Sequence, residues 1–221
     1  MEYKTTHAGR TFVGYALRIG AIELVPGGRK LKSGRMSPYF FNSALFDNGM
    51  TLGALIDAYV SALNQTDVVF DTVFGPAYKG IPLAATIAVK FADQGRTVGY
   101  AFNRKEKKDH GEGGTLVGAD LARRKVAIVD DVITSGGTKY EAVEMINQAG
   151  GTPVVLALAF DRMERGENTD LSAAEEFTEK TDIPVVAAAN LLDLIAVLEE
   201  NGDQPEMLAE INAYREKYGV A

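Results

Sequence analysis

The stretch that decides the fold reads Val126-Ala127-Ile128-Val129-Asp130-Asp131-Val132-Ile133-Thr134-Ser135-Gly136-Gly137-Thr138. It begins with an apolar run, which predicts a strand buried in a sheet. It ends with a pair of glycines among hydroxyl side chains, which is typical of a tight turn that leads into a helix. Two carboxylates stand between these parts, so a buried strand delivers a pair of acids directly to a small loop.

A loop of this composition can bind a phosphate group. Backbone amides in the loop and at the N-terminus of the following helix point toward an anion, and the glycines allow a close approach of the backbone. The hydroxyls of Thr134, Ser135 and Thr138 add hydrogen-bond donors, and the two carboxylates can accept hydrogen bonds from ribose hydroxyls. The stretch therefore suits a ribose 5-phosphate, although an ordinary strand–turn–helix joint with solvated aspartates is the alternative.

Strand and helix signals alternate along the rest of the chain. Strands are predicted over 72–74, 97–102, 125–129, 154–160 and 184–189. Helices are predicted over 52–63, 81–91, 142–149, 191–199 and 205–218. Apolar strands separated by helices predict an α/β fold, with a mostly parallel central sheet and helices on both faces. Ligands bind such sheets beyond the carboxyl ends of the strands.

The chain of 221 residues suits a single domain that spans residues 1–221. Residues 1–50 are rich in glycine and aromatic side chains and do not follow the alternation. We expect this segment to form a small cap, or hood, over the carboxyl edge of the sheet. The α/β core then covers residues 67–190.

Composition excludes several functions. The net charge is −7 and the pI is about 5.0, whereas general nucleic-acid binders are usually basic. The chain has no cysteine, which excludes disulfides and favours a cytoplasmic location, and its two histidines, His7 and His110, are too few for a multi-histidine zinc site. No apolar run reaches the roughly 18–20 residues that a membrane-spanning helix needs.

A run of cations follows the second predicted strand, over Asn103–Gly114. Four cations lie within residues 104–108, and a glycine-rich stretch comes next. We expect a mobile loop here, which could close over a polyanionic substrate. A solvated charge run is the alternative, but the position just after a strand favours the functional interpretation.

A second turn, Phe74–Pro82, follows the first predicted strand. It brings Lys79 and free backbone amides to the same edge of the sheet. An ordinary turn is the alternative to an anion-binding one.

The segment Leu31–Asn42 combines Lys32 with the aromatic pair Phe40 and Phe41. Such side chains could stack on a planar anionic base and neutralise its charge. Packing of both rings in the core is the alternative.

Together, these four segments resemble the orotate phosphoribosyltransferases of the bacterial and fungal type, a family with the type I phosphoribosyltransferase fold. The similarity extends from Phe12 to Gly219 and includes a further family segment, Asp161-Arg162-x-Glu164-Arg165-Gly166. Two of the matching motifs, Lys32–Asn42 and Asn103–Gly114, are not shared with the hypoxanthine or adenine enzymes.

The resemblance implies a pentosyltransferase of pyrimidine nucleotide synthesis. Such enzymes transfer ribose 5-phosphate from phosphoribosyl pyrophosphate (PRPP) to orotate and release orotidine 5′-monophosphate and pyrophosphate. It also implies Mg²⁺ as cofactor. Because no compact carboxylate cage is evident in the sequence, we expect no direct metal ligand from the protein, with Mg²⁺ held mainly by PRPP and water.

The resemblance further assigns roles to individual residues. Catalytic roles fall to Lys108, Asp130 and Asp131. Orotate binding falls to Lys32, Phe40, Phe41, Thr134 and Arg162. PRPP binding falls to Lys32, Tyr78, Lys79, Arg104, Lys105, Lys108, His110, Asp130, Asp131, Val132, Ile133, Thr134, Ser135, Gly136, Gly137 and Thr138.

Two structural expectations come from the same resemblance. The first is a homodimer in which the loop with Arg104 and Lys105 reaches the neighbouring subunit's site. The second is a cis peptide bond between Ala77 and Tyr78, which would point backbone amides and Lys79 at pyrophosphate.

The phosphate loop departs from the family pattern, which usually reads Thr-Ala-Gly-Thr. Here Gly137 replaces the last threonine, and Thr138 follows it. A Gly-Gly-Thr ending resembles the loop of the adenine enzymes, so a purine phosphoribosyltransferase is one alternative. A PRPP-sensing regulator that binds nucleic acid is another, but it would need a basic face or an added DNA-binding module, and the sequence has neither.

Overall fold

The computed structural model describes residues 3–31, 33–108, 114–133, 137–166 and 169–220, without the side chains of Lys107 and Lys108. The helices are α1 His7–Arg18, α2 Gly49–Asn64, α3 Gly80–Asp93, α4 Gly137–Gln148, α5 Ala173–Thr181, α6 Leu191–Asn201 and α7 Pro205–Tyr218. The strands are β1 Ile22–Lys30, β2 Met36–Phe41, β3 Thr72–Gly75, β4 Gly99–Lys108, β5 Gly114–Gly118, β6 Lys125–Asp130, β7 Thr152–Asp161 and β8 Val185–Asn190. A short 3-10 turn, Ser43–Leu45, follows β2.

The main sheet has six strands in the order β5-β4-β3-β6-β7-β8. All neighbouring pairs run parallel except β4 and β5, which pair antiparallel at one edge. The α/β fold with a mostly parallel central sheet, predicted from the sequence, is therefore confirmed. The carboxyl ends of β3, β6 and β7 lie side by side at one edge of this sheet.

Helices cover both faces of the sheet, because successive side chains of a buried strand point to opposite sides. In β6, Ala127 and Val129 belong to the core that α1, α2, α3 and α6 cover. Val126 and Ile128 belong to the core on the opposite face, which α4 and α5 cover. Strand β6 is therefore a continuous apolar run because the side chains on both of its faces are buried.

Strands β1 and β2 form a separate antiparallel hairpin. The hairpin packs against the carboxyl end of β7 through aromatic rings: Phe41 stacks on Phe160 at 5.6 Å, and Tyr39 lies edge-on to the same ring at 6.1 Å. Tyr39 also contacts Tyr214 of α7, with ring centroids 6.3 Å apart. These contacts hold the hairpin above the edge where ligands are expected.

Five elements, α1, β1, β2, α5 and β5, are not predicted individually from the sequence pattern. Helix α1 does carry a signal, because its buried residues Phe12, Val13 and Ala16 recur at helical spacing and Thr6 caps its first turn. Since α1 packs against α2, α6 and β8, it belongs to a helical layer of the core, although it lies within the segment predicted as a hood.

The prediction of a loop is wrong for residues 103–108. Strand β4 continues through this charge run as far as Lys108, and β5 pairs with it from Gly114 onward. Strand β5 pairs with Asn103 and Lys108 at the two ends of the charged segment, and the register shifts between them. The remainder of the predicted loop, residues 109–113, lies outside the described residues.

Among the described residues, the helices are too short or too polar for any of them to span a bilayer.

A pair of valines tests the sheet core. Val155 of β7 is fully buried, whereas Val69 precedes β3 and is 68 % exposed. We expect Val155→Ala to lower the free energy of unfolding by roughly 2 kcal/mol, because it removes buried methyl groups and leaves a cavity. Val69→Ala should change it by less than about 0.5 kcal/mol. Urea denaturation measures both values, and equal changes would contradict the placement of β7 in the core.

Candidate active site

Three strand ends and one turn of the hairpin segment form the candidate site. Strand β6 ends at Asp130 and is followed by Asp131, and the turn after β3 supplies Lys79. The turn after β2 supplies Ser43, and the residue after β7 is Arg162. Since the strands run parallel, residues that lie far apart in sequence meet at this edge.

Asp131 lies at the centre of a small polar cluster. Its Oδ2 atom is 2.5 Å from Nζ of Lys79 and accepts a hydrogen bond of 2.8 Å from the hydroxyl of Ser43. Lys79 also donates to Ser43 at 3.1 Å, so the three side chains close a triangle. The backbone amide of Val132 donates to the other carboxylate oxygen at 2.8 Å.

The surroundings of Asp131 keep it ionised. Burial raises the pKa of its carboxyl, but the hydrogen bonds from Lys79 and Ser43, the charge of Lys79 and the amide of Val132 together lower that pKa below its usual value. The group is therefore an anion that accepts hydrogen bonds at neutral pH.

Asp130 has a different partner. Its Oδ2 atom lies 2.6 Å from Nζ of Lys139 in the first turn of α4, and both side chains are almost fully buried. The amide of Asp131 donates to Oδ1 of Asp130 at 3.0 Å. From the opposite face of the sheet, the hydroxyl of Tyr59 donates to the Asp130 carbonyl at 2.7 Å. Each of the adjacent aspartates thus has its own lysine.

The turn after β3 contains a cis peptide bond between Ala77 and Tyr78, as the resemblance implied. The amide of Ala77 donates to the side chain of Asn103 in β4 at 2.8 Å. The ring of Tyr78 is largely exposed, and Nζ of Lys105 lies 4.7 Å from its centroid. The turn thereby contacts the charged part of β4 within a single chain.

Arg162 lies beneath the hairpin, and its guanidinium is mostly buried. It donates to Glu164 at 2.6 and 2.8 Å and to the hydroxyl of Ser37 at 2.8 Å, and it stacks over the ring of Tyr39 at 4.3 Å. Burial opposes its charge, but Tyr39 and Glu164 raise its pKa above the usual value, so Arg162 is a cation. Glu164 also accepts from Tyr214 at 2.9 Å and pairs with Arg35 at 3.6 Å.

The two aromatic candidates have different surroundings. Phe41 is buried and stacks on Phe160, which is the core packing considered as the alternative. Phe40 is half-buried on the other face of β2, and the guanidinium of Arg29 lies 4.3 Å from its centroid. Orotate contact stays a prediction for both rings.

Some predicted site residues lie outside the described part of the chain. They are Lys32, His110, Thr134, Ser135, Gly136 and the side chain of Lys108. Gly137 and Thr138 begin α4, so the first turn of that helix directly follows the predicted phosphate loop. Of the two residues before the loop, Ile133 is buried in the core and Val132 is half-buried.

Three polar residues of the site are not predicted from the sequence: Ser43, Lys139 and Glu164. A signal exists for Lys139, because it shares the spacing of the buried residues Ala142 and Ile146 along α4. Ser43 has no comparable signal, because only the folded turn brings it to Asp131. Glu164 stands in the segment that resembles the family, but no role was assigned to it.

Where the structure describes the chain, no group of three or more acidic, histidine or cysteine side chains could hold a metal ion. Both aspartates of the site accept from lysines.

Comparison with known proteins places this fold and site in a family. Residues 44–189 match the phosphoribosyl transferase domain family. The chain is 49% identical over 217 residues to the orotate phosphoribosyltransferase of Bordetella parapertussis, covering 95% of this chain and 96% of that protein. It is 50% identical over 205 residues to the Xanthomonas oryzae enzyme of the same name, covering 92% and 94%.

Solved structures agree with this result. The crystal structure of orotate phosphoribosyltransferase from Francisella tularensis superposes with a TM-score of 0.85 at 37% identity, covering 95% of this chain and all of that one. An adenine phosphoribosyltransferase from Saccharomyces cerevisiae shares the fold with a TM-score of only 0.53 at 19% identity. The chain belongs to the orotate phosphoribosyltransferase family.

Proposed function

We propose that this protein transfers ribose 5-phosphate from PRPP to orotate, giving orotidine 5′-monophosphate and pyrophosphate in pyrimidine nucleotide synthesis. Family membership supports the reaction, and one structural observation carries it. Two adjacent carboxylates end β6, each paired with a lysine, and helix α4 begins a few residues later. Carboxylates for a ribose diol and a helix N-terminus for its phosphate thus stand one loop apart.

The chemistry requires electrostatic stabilisation and positioning more than proton transfer. The bond from C1′ of the ribose to the pyrophosphate oxygen breaks, and the electron pair leaves with pyrophosphate. N1 of orotate forms the new bond to C1′ and loses its proton, which the departing pyrophosphate can accept. Positive charge develops on the ribose ring in between, and Asp130 and Asp131 can stabilise it while they accept hydrogen bonds from the hydroxyls.

Lys79 is the cation best placed to exchange partners. Its side chain is 61% exposed although its ammonium contacts the less exposed Asp131. We infer that Lys79 leaves Asp131 for the pyrophosphate group when PRPP binds, so that Asp131 becomes available to the ribose. Arg104, Lys105, Lys108 and His110 remain proposed partners of pyrophosphate, as do the loop residues 132–138 for the 5′-phosphate.

Orotate would bind between the hairpin and the end of β7. Arg162 is a buried cation beneath β2, which suits the carboxylate of orotate. Phe40 and Phe41 belong to the same strand, while Lys32 and Thr134 keep their proposed roles in binding the base. In this arrangement Glu164 orients the guanidinium of Arg162.

Mg²⁺ would enter with PRPP and stay bound to its oxygens and to water. The described side chains offer no direct set of ligands for it, since both aspartates of the site accept from lysines. The ion would neutralise charge on the leaving pyrophosphate, while the protein residues bind and orient the rest of the substrate.

We also propose a homodimer in the cytoplasm, with Arg104 and Lys105 reaching the neighbouring subunit's site. Within one chain, Lys105 contacts Tyr78 of its own turn, so a shared site requires it to exchange that contact for one across the interface.

The experiment that tests the proposed function measures PRPP consumption with orotate, adenine or hypoxanthine as acceptor, with Mg²⁺ present. We expect pyrophosphate release with orotate alone. Release with a purine base would favour the purine enzymes that the Gly136-Gly137-Thr138 loop resembles. Release with none of the three bases, combined with tight PRPP binding, would favour a PRPP-sensing protein.

Arg162→Ala should weaken orotate binding about 10- to 100-fold, because a charge-assisted hydrogen bond to a carboxylate is lost. PRPP binding should change by less than about threefold. Calorimetric titration of each ligand measures both effects. Arg165→Ala is the matched control, because it removes a nearby guanidinium that is partly exposed, pairs with Asp170 at 3.8 Å and donates to the carbonyl of Lys217 at 2.8 Å. Equal losses for both ligands would remove the role assigned to Arg162.

Ser43→Ala should shift the acid limb of the pH profile of kcat/KM for PRPP to higher pH. The pKa of Asp131 is lowered partly by the Ser43 hydrogen bond, so without it the carboxylate takes up a proton at a higher pH. Ser43→Thr keeps a hydroxyl and should keep the wild-type limb, and Ser61→Ala on α2 controls for loss of an exposed serine hydroxyl. An unchanged limb in Ser43→Ala would show that Asp131 ionisation does not limit PRPP use.

Mixing two inactive variants tests the shared site. If Lys105 acts across the dimer, Lys105→Ala and Asp131→Ala subunits should regain about one quarter of wild-type activity when mixed equally, because half the dimers then carry one native site. Activity is measured after heterodimers are verified by mass spectrometry. Heterodimers without activity would place Lys105 in its own subunit's site.

A further inference from the structure

Lys139 occupies a position that is unfavourable for a lysine unless it has a specific partner. Its side chain is only 10% exposed, and lysines are almost never buried without a counter-charge. It is also the third residue of α4, near the positive end of the helix dipole, where cations are disfavoured. The carboxylate of Asp130, at 2.6 Å, offsets both effects.

The geometry of α4 directs Lys139 to this partner. Side chains on a helix lean toward its N-terminus, so Lys139 extends from the first turn back toward the end of β6. Ala142 and Ile146, on the same face of α4, are fully buried against the sheet. Because this face of α4 packs on the sheet, the ammonium of Lys139 is held next to the carboxylate of Asp130 at the end of β6.

The two lysines of the site differ in their freedom to move. Lys79 is 61% exposed and comes from a turn, whereas Lys139 is 10% exposed and comes from a docked helix. The four charges of the two pairs sum to zero. If Lys79 moves to pyrophosphate, the acidic pair keeps one net negative charge when Lys139 is present, and two when it is absent.

Asp130 retains acceptor capacity while it is held in this way. Oδ2 accepts from Lys139 and Oδ1 accepts from the amide of Asp131. Each carboxylate oxygen has two lone-pair sites, so each can still accept a hydrogen bond from a ribose hydroxyl. The contact with Lys139 therefore orients Asp130 without using up its acceptors.

We propose that Lys139 is a positioning residue of the transfer reaction. It fixes the carboxylate of Asp130 for the ribose and limits the negative charge of the acidic pair once Lys79 has moved to pyrophosphate. The inference rests on the proposed function, because it requires that PRPP place its ribose at these carboxylates.

The test compares Lys139→Met, which keeps the length of the side chain, with Lys139→Arg, which keeps its charge. Calorimetric titration gives PRPP affinity, and steady-state kinetics give kcat and both KM values. We expect Lys139→Met to weaken PRPP binding about 10- to 100-fold, with the KM for orotate within about twofold. Lys139→Arg should recover part of the loss. Lys180→Met, which removes an exposed lysine paired with Glu176 on α5, should match wild type.

The same substitution made in an Asp130→Asn variant distinguishes a positioning role of Lys139 from a role in folding alone. In an Asp130→Asn variant no carboxylate remains for Lys139 to orient, so adding Lys139→Met should change PRPP affinity by less than about twofold. The double variant leaves no buried charge unpaired, so it keeps the test usable if Lys139→Met alone unfolds. Melting curves and circular dichroism verify the fold of every variant.

Three results would each overturn the inference. They are unchanged PRPP affinity in folded Lys139→Met, equal losses for PRPP and orotate, and a full further loss in the Asp130→Asn background. Each of them is compatible with an active wild-type enzyme. A wild-type protein that does not turn over orotate and PRPP would instead refute the proposed function.

Discussion

Everything at the site depends on placing two adjacent carboxylates at the end of a buried strand. Strand β6 is apolar because both of its faces are covered, and its last residue and the next one are Asp130 and Asp131. Two negative charges so close together, with little solvent, would repel each other and favour protonation. The fold resolves this by bringing one lysine from the turn after β3 and another from α4. Both elements are neighbours of β6, so the order of the strands and helices also determines which lysines balance the charge of the aspartates.

A second charged network connects the hairpin to the core. Arg162, Glu164 and Arg35 alternate in sign beneath β2, with the hydroxyls of Ser37 and Tyr214 completing the hydrogen bonds. A buried guanidinium without such partners would be costly, so Glu164 is what keeps Arg162 stable and oriented. The hairpin, the end of β7 and the C-terminal helix α7 therefore meet at the place assigned to the base. The positions proposed for the ribose and for the base thus have separate charge systems.

The sequence predicts much of the fold, because the buried strands of a parallel sheet are continuous apolar runs, as in β6 and β7. It misses β5 and the charged half of β4, because lysine and glutamate are poor strand formers. The carboxylates were predicted because they end a strand. Lys139 was not predicted, because a lysine is not expected on the buried, apolar face of a helix. The contacts of Ser43 follow from tertiary placement alone. Roles assigned to Lys32 and His110 rest on resemblance, since both lie outside the described residues.

The most direct measurement is a crystal structure of the protein with PRPP bound. The central claim is that, of the two lysines that contact the paired aspartates, one moves to the substrate and the other stays in place. We predict that Nζ of Lys79 contacts pyrophosphate oxygens, that the ribose hydroxyls take its place at Asp131, and that Lys139 stays within about 3 Å of Asp130. A complex in which Lys79 remains on Asp131, or in which the ribose binds away from both aspartates, would contradict the account.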